Sequence, residues 1–333
     1  MMRILYLGGT GEISYCCAAE SARTGHDVTV YNRGRIEEPL PDGVRRITGD
    51  IEDPAAYSQL ADGRFDVVCQ FLGFEMRTVE RDVEIFGGNC GQYVFISTAS
   101  AYEKPPRHYV ITEQTPLGNP YWEYSRKKAA MEAYLLDQHR AGRLPVTIVR
   151  PSHTVRRKFP GGIVRGDDWA WRLRHGKPVL VHGDGTALWT LTHSRDFAVP
   201  FNRLLGNPTA LGEAFHITRP MEAFTWNQIF TEMAQALGAP PRIVHVPTDT
   251  LVRYNRQWTG PLLGDKAHSV LFDNTKVIEA TGDFECKAGL QEIMQEAAQH
   301  YGRREALYRP DPRLHDLLDR IAEDIQSLGG PLE

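Results

Sequence analysis

No apolar run in this chain approaches the roughly 20 residues needed to cross a bilayer, so a membrane-spanning protein is not expected. Cysteine is scarce. The five present, Cys16, Cys17, Cys69, Cys90 and Cys286, make an odd count at spacings that match no zinc or redox pattern. They read as small buried hydrophobes, which predicts a reduced cytoplasmic protein with no metal centre. An excess of positive charge is also missing. Lys and Arg number 38 against 42 Asp and Glu, a net charge of −4, where a nucleic-acid binder would be strongly basic. The start, MMRILYLGG, lacks the charged residues and long apolar stretch of a secretory signal and reads as a strand. There is no internal repeat or low-complexity tract. What is present is 333 residues, 41% of them hydrophobic, enough for one large domain or two that share a cleft.

The first half alternates strands and helices. RILYLGG, DVTVYN, GVRRITGD, FDVVCQFLG and QYVFISTAS read as five strands. The stretch EISYCCAAESARTG has helical spacing and ends at Gly25. A helix from about Tyr124 to Gly142 precedes a further strand, PVTIVRPS. Several strands are apolar throughout rather than alternating, as expected when helices cover both faces of a parallel sheet. The order predicts an α/β fold, a Rossmann-type doubly wound sheet. After about Val155 the chain becomes rich in Gly, Pro, Arg and Trp, with scattered helices and short strands such as AFHIT and RIVHVP. This predicts a smaller, irregular C-terminal substrate lobe. The dinucleotide-binding part is expected over 1–157, rejoined by about 196–218, and the lobe over 158–195 and 219–333.

Strand one runs into LGGTGEIS, with Gly8, Gly9 and Gly11 in place and Ser14 where a last small residue is wanted. A turn this tight lets backbone N–H groups and a helix N-terminus approach a pyrophosphate. Gly8, Thr10, Gly11, Glu12 and Ile13 are the candidate cradle. At the end of strand two, an acid would bond the ribose 2′-OH of NAD and an arginine would favour the 2′-phosphate of NADP. The sequence there is VYNRGR, with Asn32 at the acid's place and Arg33 and Arg35 behind it. NAD and NADP both remain open. Asp50, after Gly49, and Ile51 can reach the adenine side.

The pentapeptide YSRKK, Tyr124 to Lys128, sets a tyrosine and a lysine one helical turn apart, a spacing that is commonly structural. Taken with GGTGEIS, GD at 49–50, FISTASAY, IVRPSHTV and GDGTALWTLTHSRDFA, in this order, the chain resembles the extended short-chain dehydrogenase/reductase family. That group includes nucleotide-sugar epimerases and dehydratases. The resemblance covers most of the chain and implies a catalytic triad of Thr98, Tyr124 and Lys128. Free tyrosine has a pKa near 10, and a nearby ammonium favours the phenolate. Tyr124 would then remove a hydroxyl proton as hydride leaves for the cofactor, with Lys128 also on the nicotinamide ribose and Thr98 orienting the oxygen. Ser97 and Ser100 compete for the role of Thr98. Lys127, about 100° round the helix, is read as solvated. By the same resemblance Phe71, Leu72 and Gly73, after strand four, pass the cofactor; Gln70 is a departure there. Pro151 and His153 follow the later strand, with His153 where an asparagine would touch substrate phosphate.

The resemblance also narrows the chemistry. Dehydratases and uronate decarboxylases of the family resemble TDEVY or TSEVY at the triad threonine. Here Thr98–Tyr102 read TASAY, without the acids. Epimerisation and simple oxidation or reduction are left. The expectation is an NAD(P)-dependent epimerase acting on a sugar, most often a nucleotide-sugar, with NAD held tightly. The alternatives are a reductase or dehydrogenase of a non-nucleotide carbonyl or alcohol, and a non-catalytic NAD(P)-binding regulator. Trp189 stands where epimerases have a diphosphate-gripping arginine, so positive charge would come from Arg156 and Arg157. Ser100, Trp189 and Thr98 complete the expected substrate contacts, while Trp169 and Trp171 read as core or stacking residues. The expected partner is a small molecule, with no nucleic acid or membrane; a homodimer is left open.

Overall fold

A computed structural model describes residues 1–36 and 38–328. Strand β1 (Arg3–Leu7) is buried from Ile4 to Leu7 and shows how both sheet faces are covered. Ile4 and Tyr6 point into one apolar cluster, Leu5 and Leu7 into another. That is the period-2 alternation of a strand with helices above and below it. Six more strands join it: β2 (Asp27–Asn32), β3 (Val44–Thr48), β4 (Val67–Gln70), β5 (Gln92–Ile96), β6 (Val146–Pro151) and β7 (Ala214–Ile217). Their order is β3-β2-β1-β4-β5-β6-β7, and every pair is parallel. The chain crosses from β3 to β4 over β1 and β2, so the order reverses between β1 and β4. A ligand crevice opens at such a switch point, beyond the carboxyl ends of the strands.

Helices α1 (Ser14–Arg23), α2 (Met76–Phe86), α3 (Glu123–Arg140) and α4 (Ser194–Leu204) flank the sheet. Cys17 and Ala18 of α1 meet Phe197 and Phe201 of α4 on one face. Val79 and Phe86 of α2 and Met131 and Leu135 of α3 cover the other. The segment AFHIT, read above among the short strands after Val155, is β7 at the sheet edge.

A third apolar cluster is built only from residues at and beyond Val155, including Trp169, Trp226, Tyr301 and Ile321. Short strand pairs tie it together. Val179–His182 pairs with Ile243–Val246, the expected RIVHVP strand. Leu191–His193 runs parallel to His153–Val155, directly after β6. Leu271–Phe272 pairs with Val110–Ile111. These pairings bring 153–155, 188–193 and 265–272 to the carboxyl end of the sheet. Among the described residues no helix is long and apolar enough to cross a membrane.

Candidate active site

A cavity of about 890 Å³ lies over the switch point. At one end is the glycine turn. Gly8 and Gly9 have φ of 118° and 85°, which side-chain-bearing residues rarely adopt. A Cβ on Gly9 would also stand 2.3 Å from Val30. Ile13 occupies the N-cap of α1 and offers no capping group, so first-turn N–H groups are left for a ligand. Gly8, Thr10, Gly11, Glu12 and Ile13 all line the cavity. The residues fit the pyrophosphate of a dinucleotide.

The end of β2 forms the adjoining wall. Asn32 donates to the Gly8 carbonyl at 2.9 Å and accepts from Gly34 N–H at 2.9 Å. Its amide therefore braces the turn. Arg33 and Arg35 are exposed on the rim and, with Asn32, Asp50 and Ile51, line the cavity. Beyond β4, Gln70 explains its own departure. It donates to buried Asp82 at 2.6 Å and accepts the Leu72 N–H at 2.7 Å. It thus fixes the loop whose Phe71 and Leu72 face the cavity. Gly73 corrects an expectation, since it is buried and not part of the lining: a Cβ on it would stand 2.7 Å from the Phe95 ring, and its carbonyl takes a hydrogen bond from Lys128 at 2.6 Å.

Thr98, Tyr124 and Lys128 all line the cavity. Thr98 sits at the carboxyl end of β5, and Tyr124 and Lys128 share one face of α3. Burial pushes the Tyr124 phenol up, with the neighbouring Thr98 hydroxyl acting the other way. Thr98 is held by Ser100, whose amide donates to Oγ1 at 3.2 Å and whose hydroxyl is 3.0 Å away. Lys128 is 2% exposed. Its ammonium donates to the carbonyls of Gly73 and Ile96 at 2.6 and 2.7 Å and sits 4.6 Å from the Phe95 ring centroid. Burial nevertheless lowers it to about 7, with Glu132 pulling the other way. Lys127 is on the outside, paired with Glu75 at 2.9 Å.

The far end is walled by Trp122, His153, Trp189, Val270 and Phe272. The His153 and Trp189 rings stack at 4.4 Å, and Trp189 stacks on Trp226 at 4.5 Å. Burial and the Lys266 cation push the His153 imidazole down to about 3, so it is neutral. Trp169 is wholly core and Trp171 packs on His175 and His315. Pro151 lines the cavity beside His153.

Arg156 and Arg157 correct the second expectation. Neither lines the cavity. Arg156 forks onto Glu38 at 2.7 and 2.8 Å and lies 4.1 Å over the Tyr15 ring, while Arg157 reaches Glu38 at 2.7 Å. Glu12 draws this segment in, its carboxylate accepting the amides of Arg156, Arg157 and Lys158 at 3.1, 3.1 and 3.3 Å. The positive charge at the substrate end comes instead from Lys104 and Lys266, with Asp265 between them in influence. Sequence reasoning missed all three; Lys266 lies in GDK, just before the β-paired Leu271–Phe272, and no local signal marks it. Among the described residues no group of His, Cys, Asp or Glu side chains could hold a metal ion.

A model of the NAD dependent epimerase/dehydratase family matches residues 4–217. The chain is 26% identical over 255 residues to the 2'-dehydrokanamycin reductase of Streptomyces kanamyceticus, covering 74% of this chain and 70% of that one. It is 29% identical over 259 residues to the chloroplast stem-loop binding protein of 41 kDa b of Arabidopsis thaliana, covering 73% of this chain and 65% of that protein, just under two thirds. The fold matches that of UDP-glucose 4-epimerase from Bifidobacterium longum, solved with NAD+ and UDP. The TM-score is 0.73 at 18% identity, over 92% of this chain and 100% of that one.

Proposed function

Since the chain belongs to the NAD dependent epimerase/dehydratase family, we propose that it is an NAD(P)-dependent oxidoreductase acting at a hydroxyl-bearing carbon of a sugar-type substrate. The observation that carries this is that Thr98, Tyr124 and Lys128 line the same cavity as the glycine turn. A nicotinamide dinucleotide bound along that turn supplies the hydride acceptor or donor. Tyr124 takes the proton from the substrate hydroxyl, or returns it to the carbonyl oxygen, at its phenolic oxygen. Thr98, whose hydroxyl favours the ionised phenol, orients the same substrate oxygen. In its protonated form Lys128, one turn along α3, favours the ionised phenol. Trp122, on the cavity wall, offers a flat apolar face of the kind that packs on sugar rings.

Arg156 and Arg157 do not face the cavity, which removes the expected grip on a nucleotide diphosphate, so simple oxidation or reduction is the first reading. The reductase among the relatives supports it. Epimerisation of a nucleotide-sugar is the second reading, supported by the chain-length likeness to UDP-glucose 4-epimerase. The kept Tyr124–Lys128 pair supports turnover over a purely cofactor-binding or RNA-binding role, despite the chloroplast relative. The test is turnover of the purified chain with NAD(H) or NADP(H) and hydroxylated sugars or their ketones. Stoichiometric oxidation or reduction of the cofactor supports the first reading. A stereoisomer formed without net cofactor change supports the second. Bound cofactor with no turnover in any combination overturns both.

A further inference from the structure

The substrate end of the cavity holds a charge imbalance. Lys104 and Lys266 both line it, and they are only 6% and 7% exposed. Lys266 stands 3.3 Å from the carboxylate of Asp265. Its ammonium also lies 5.0 Å from the Trp189 ring centroid and 5.7 Å from that of Trp122. Lys104 has no hydrogen-bonded or ion-paired side-chain partner among the described residues; burial disfavours its charged form, and Asp265 and Glu103 act the other way. Glu103 is itself paired with Arg107 at 3.3 Å. His153, the other ionisable group on this wall beside Tyr124, is neutral. Two ammoniums therefore share one carboxylate, and one positive charge is left uncompensated in a largely buried wall. Burying an unpaired charge is costly, so its complement is expected to arrive with a ligand.

The lysines are also well fixed, as a binding group must be. Lys266 ends the π-helical turn Leu262–Lys266, whose Gly264 carbonyl accepts from Asn119 at 2.7 Å. The Lys266 carbonyl accepts from Trp226 at 3.2 Å and bonds the His182 ring at 2.8 Å. The Trp122 ring that Lys266 faces lies 5.1 Å from the Tyr124 ring, so the ammonium is one aromatic ring away from the reacting oxygen.

We propose that Lys104 and Lys266 form a carboxylate-binding subsite, and that the substrate is a hydroxylated carboxylic acid. The proposal rests on the oxidoreductase reading above and names the substrate class for it. A carboxylate carries one negative charge, which matches the single excess positive charge. A phosphate monoester carries about −1.5 to −2 near neutral pH and would overshoot it. Trp122, between Lys266 and the Tyr124 ring, covers the apolar face of such a molecule.

The test is calorimetric titration of the full-length, cofactor-loaded protein with glucuronate and gluconate, with their neutral counterparts glucose and glucitol, and with glucose 6-phosphate. At least one of the carboxylates is expected to bind about ten- to a hundredfold more tightly than its neutral counterpart, as a charged hydrogen bond to a partly buried ammonium provides. Lys104→Met and Lys266→Met, which keep most of the stem, are each expected to abolish that preference. The unsubstituted protein's preference is a test in itself, should either variant fold poorly. No preference for either carboxylate, tighter binding of glucose 6-phosphate, or a preference that survives both substitutions overturns the subsite. Binding is measured apart from turnover, so the two readings fail separately. Absence of the preference in the unsubstituted protein, with turnover intact, overturns the subsite alone. Carboxylate binding without turnover overturns the oxidoreductase reading alone.

Discussion

The ammonium of Lys128 and the carbonyl of Gly73 are joined by a 2.6 Å hydrogen bond across 55 residues of sequence. This bond, with its counterpart to Ile96, pins the N-terminal part of α3 to the loop after β4 and to the last residue of β5. Tyr124 is placed one turn away by the same helix, so its position depends on Lys128 as well as on Thr98.

Replacing Tyr124 by Phe removes the proton-transfer oxygen and keeps the ring against Trp122. Turnover should fall by about 10²–10⁴-fold, the usual contribution of general acid–base catalysis. Cofactor affinity should stay within about threefold. Turnover within a factor of about two of the parent would take Tyr124 out of the mechanism.

Lys128 should leave a signature in stability against pH. Its pKa is lowered to about 7 in the fold, against about 10.4 in an unfolded chain. Between those values the unfolded chain binds more protons, so stability rises with pH, and the penalty for burying the charge is full below about 7. Urea unfolding between about pH 7 and 8.5, before unfolded cysteines ionise, should show that rise. Lys128→Met should flatten it. An unchanged slope in the variant would show that the ammonium stays charged, held by its two carbonyls.

Arg33 and Arg35 stand on the rim of the cavity, while the Asn32 amide is engaged with Gly8 and Gly34. Replacing both arginines with Ala should weaken NADP by about ten- to a hundredfold if they hold the 2′-phosphate, and NAD by little. Dissociation constants for the two cofactors decide it. Equal, small losses would make NAD the working cofactor.

Arg156→Ala should act on stability rather than on substrate. It strands Glu38, and breaking a largely buried pair costs about 3–5 kcal/mol, less here because Arg157 still reaches the same carboxylate. A lower unfolding midpoint in urea with KM within about threefold of the parent is the expected pattern. A KM raised tenfold or more, with stability unchanged, would return Arg156 to the substrate site.

The sheet was legible because its signals are local. Continuous apolar runs such as VVCQ and QYVFI mark strands buried on both faces, and the LGGTGEIS turn sits where strand meets helix. The same locality made Thr98, Tyr124 and the cradle readable. Arg156 and Arg157 were misplaced because their partner, Glu38, lies 118 residues from Arg156, and charge alone does not tell a pocket from a pair. Gly73 was misread because its carbonyl, rather than its freedom, is what the fold uses. Lys104 and Lys266 escaped notice because each is an ordinary lysine in its own segment. Only the pairing of Leu271–Phe272 with Val110–Ile111 brings the two segments together.

The three amides that close on Glu12 come from residues 144 to 146 positions downstream, and the Ser194 hydroxyl bonds the Glu12 backbone carbonyl from further still. During synthesis the glycine turn is therefore made long before it is finished. A nascent chain, or a fragment cut before Arg156, carries every glycine of the turn and yet presents a bare carboxylate beside the place where the pyrophosphate would rest. Like charges repel there until the later segment arrives, so dinucleotide affinity should be gained late in assembly rather than with the motif that announces it.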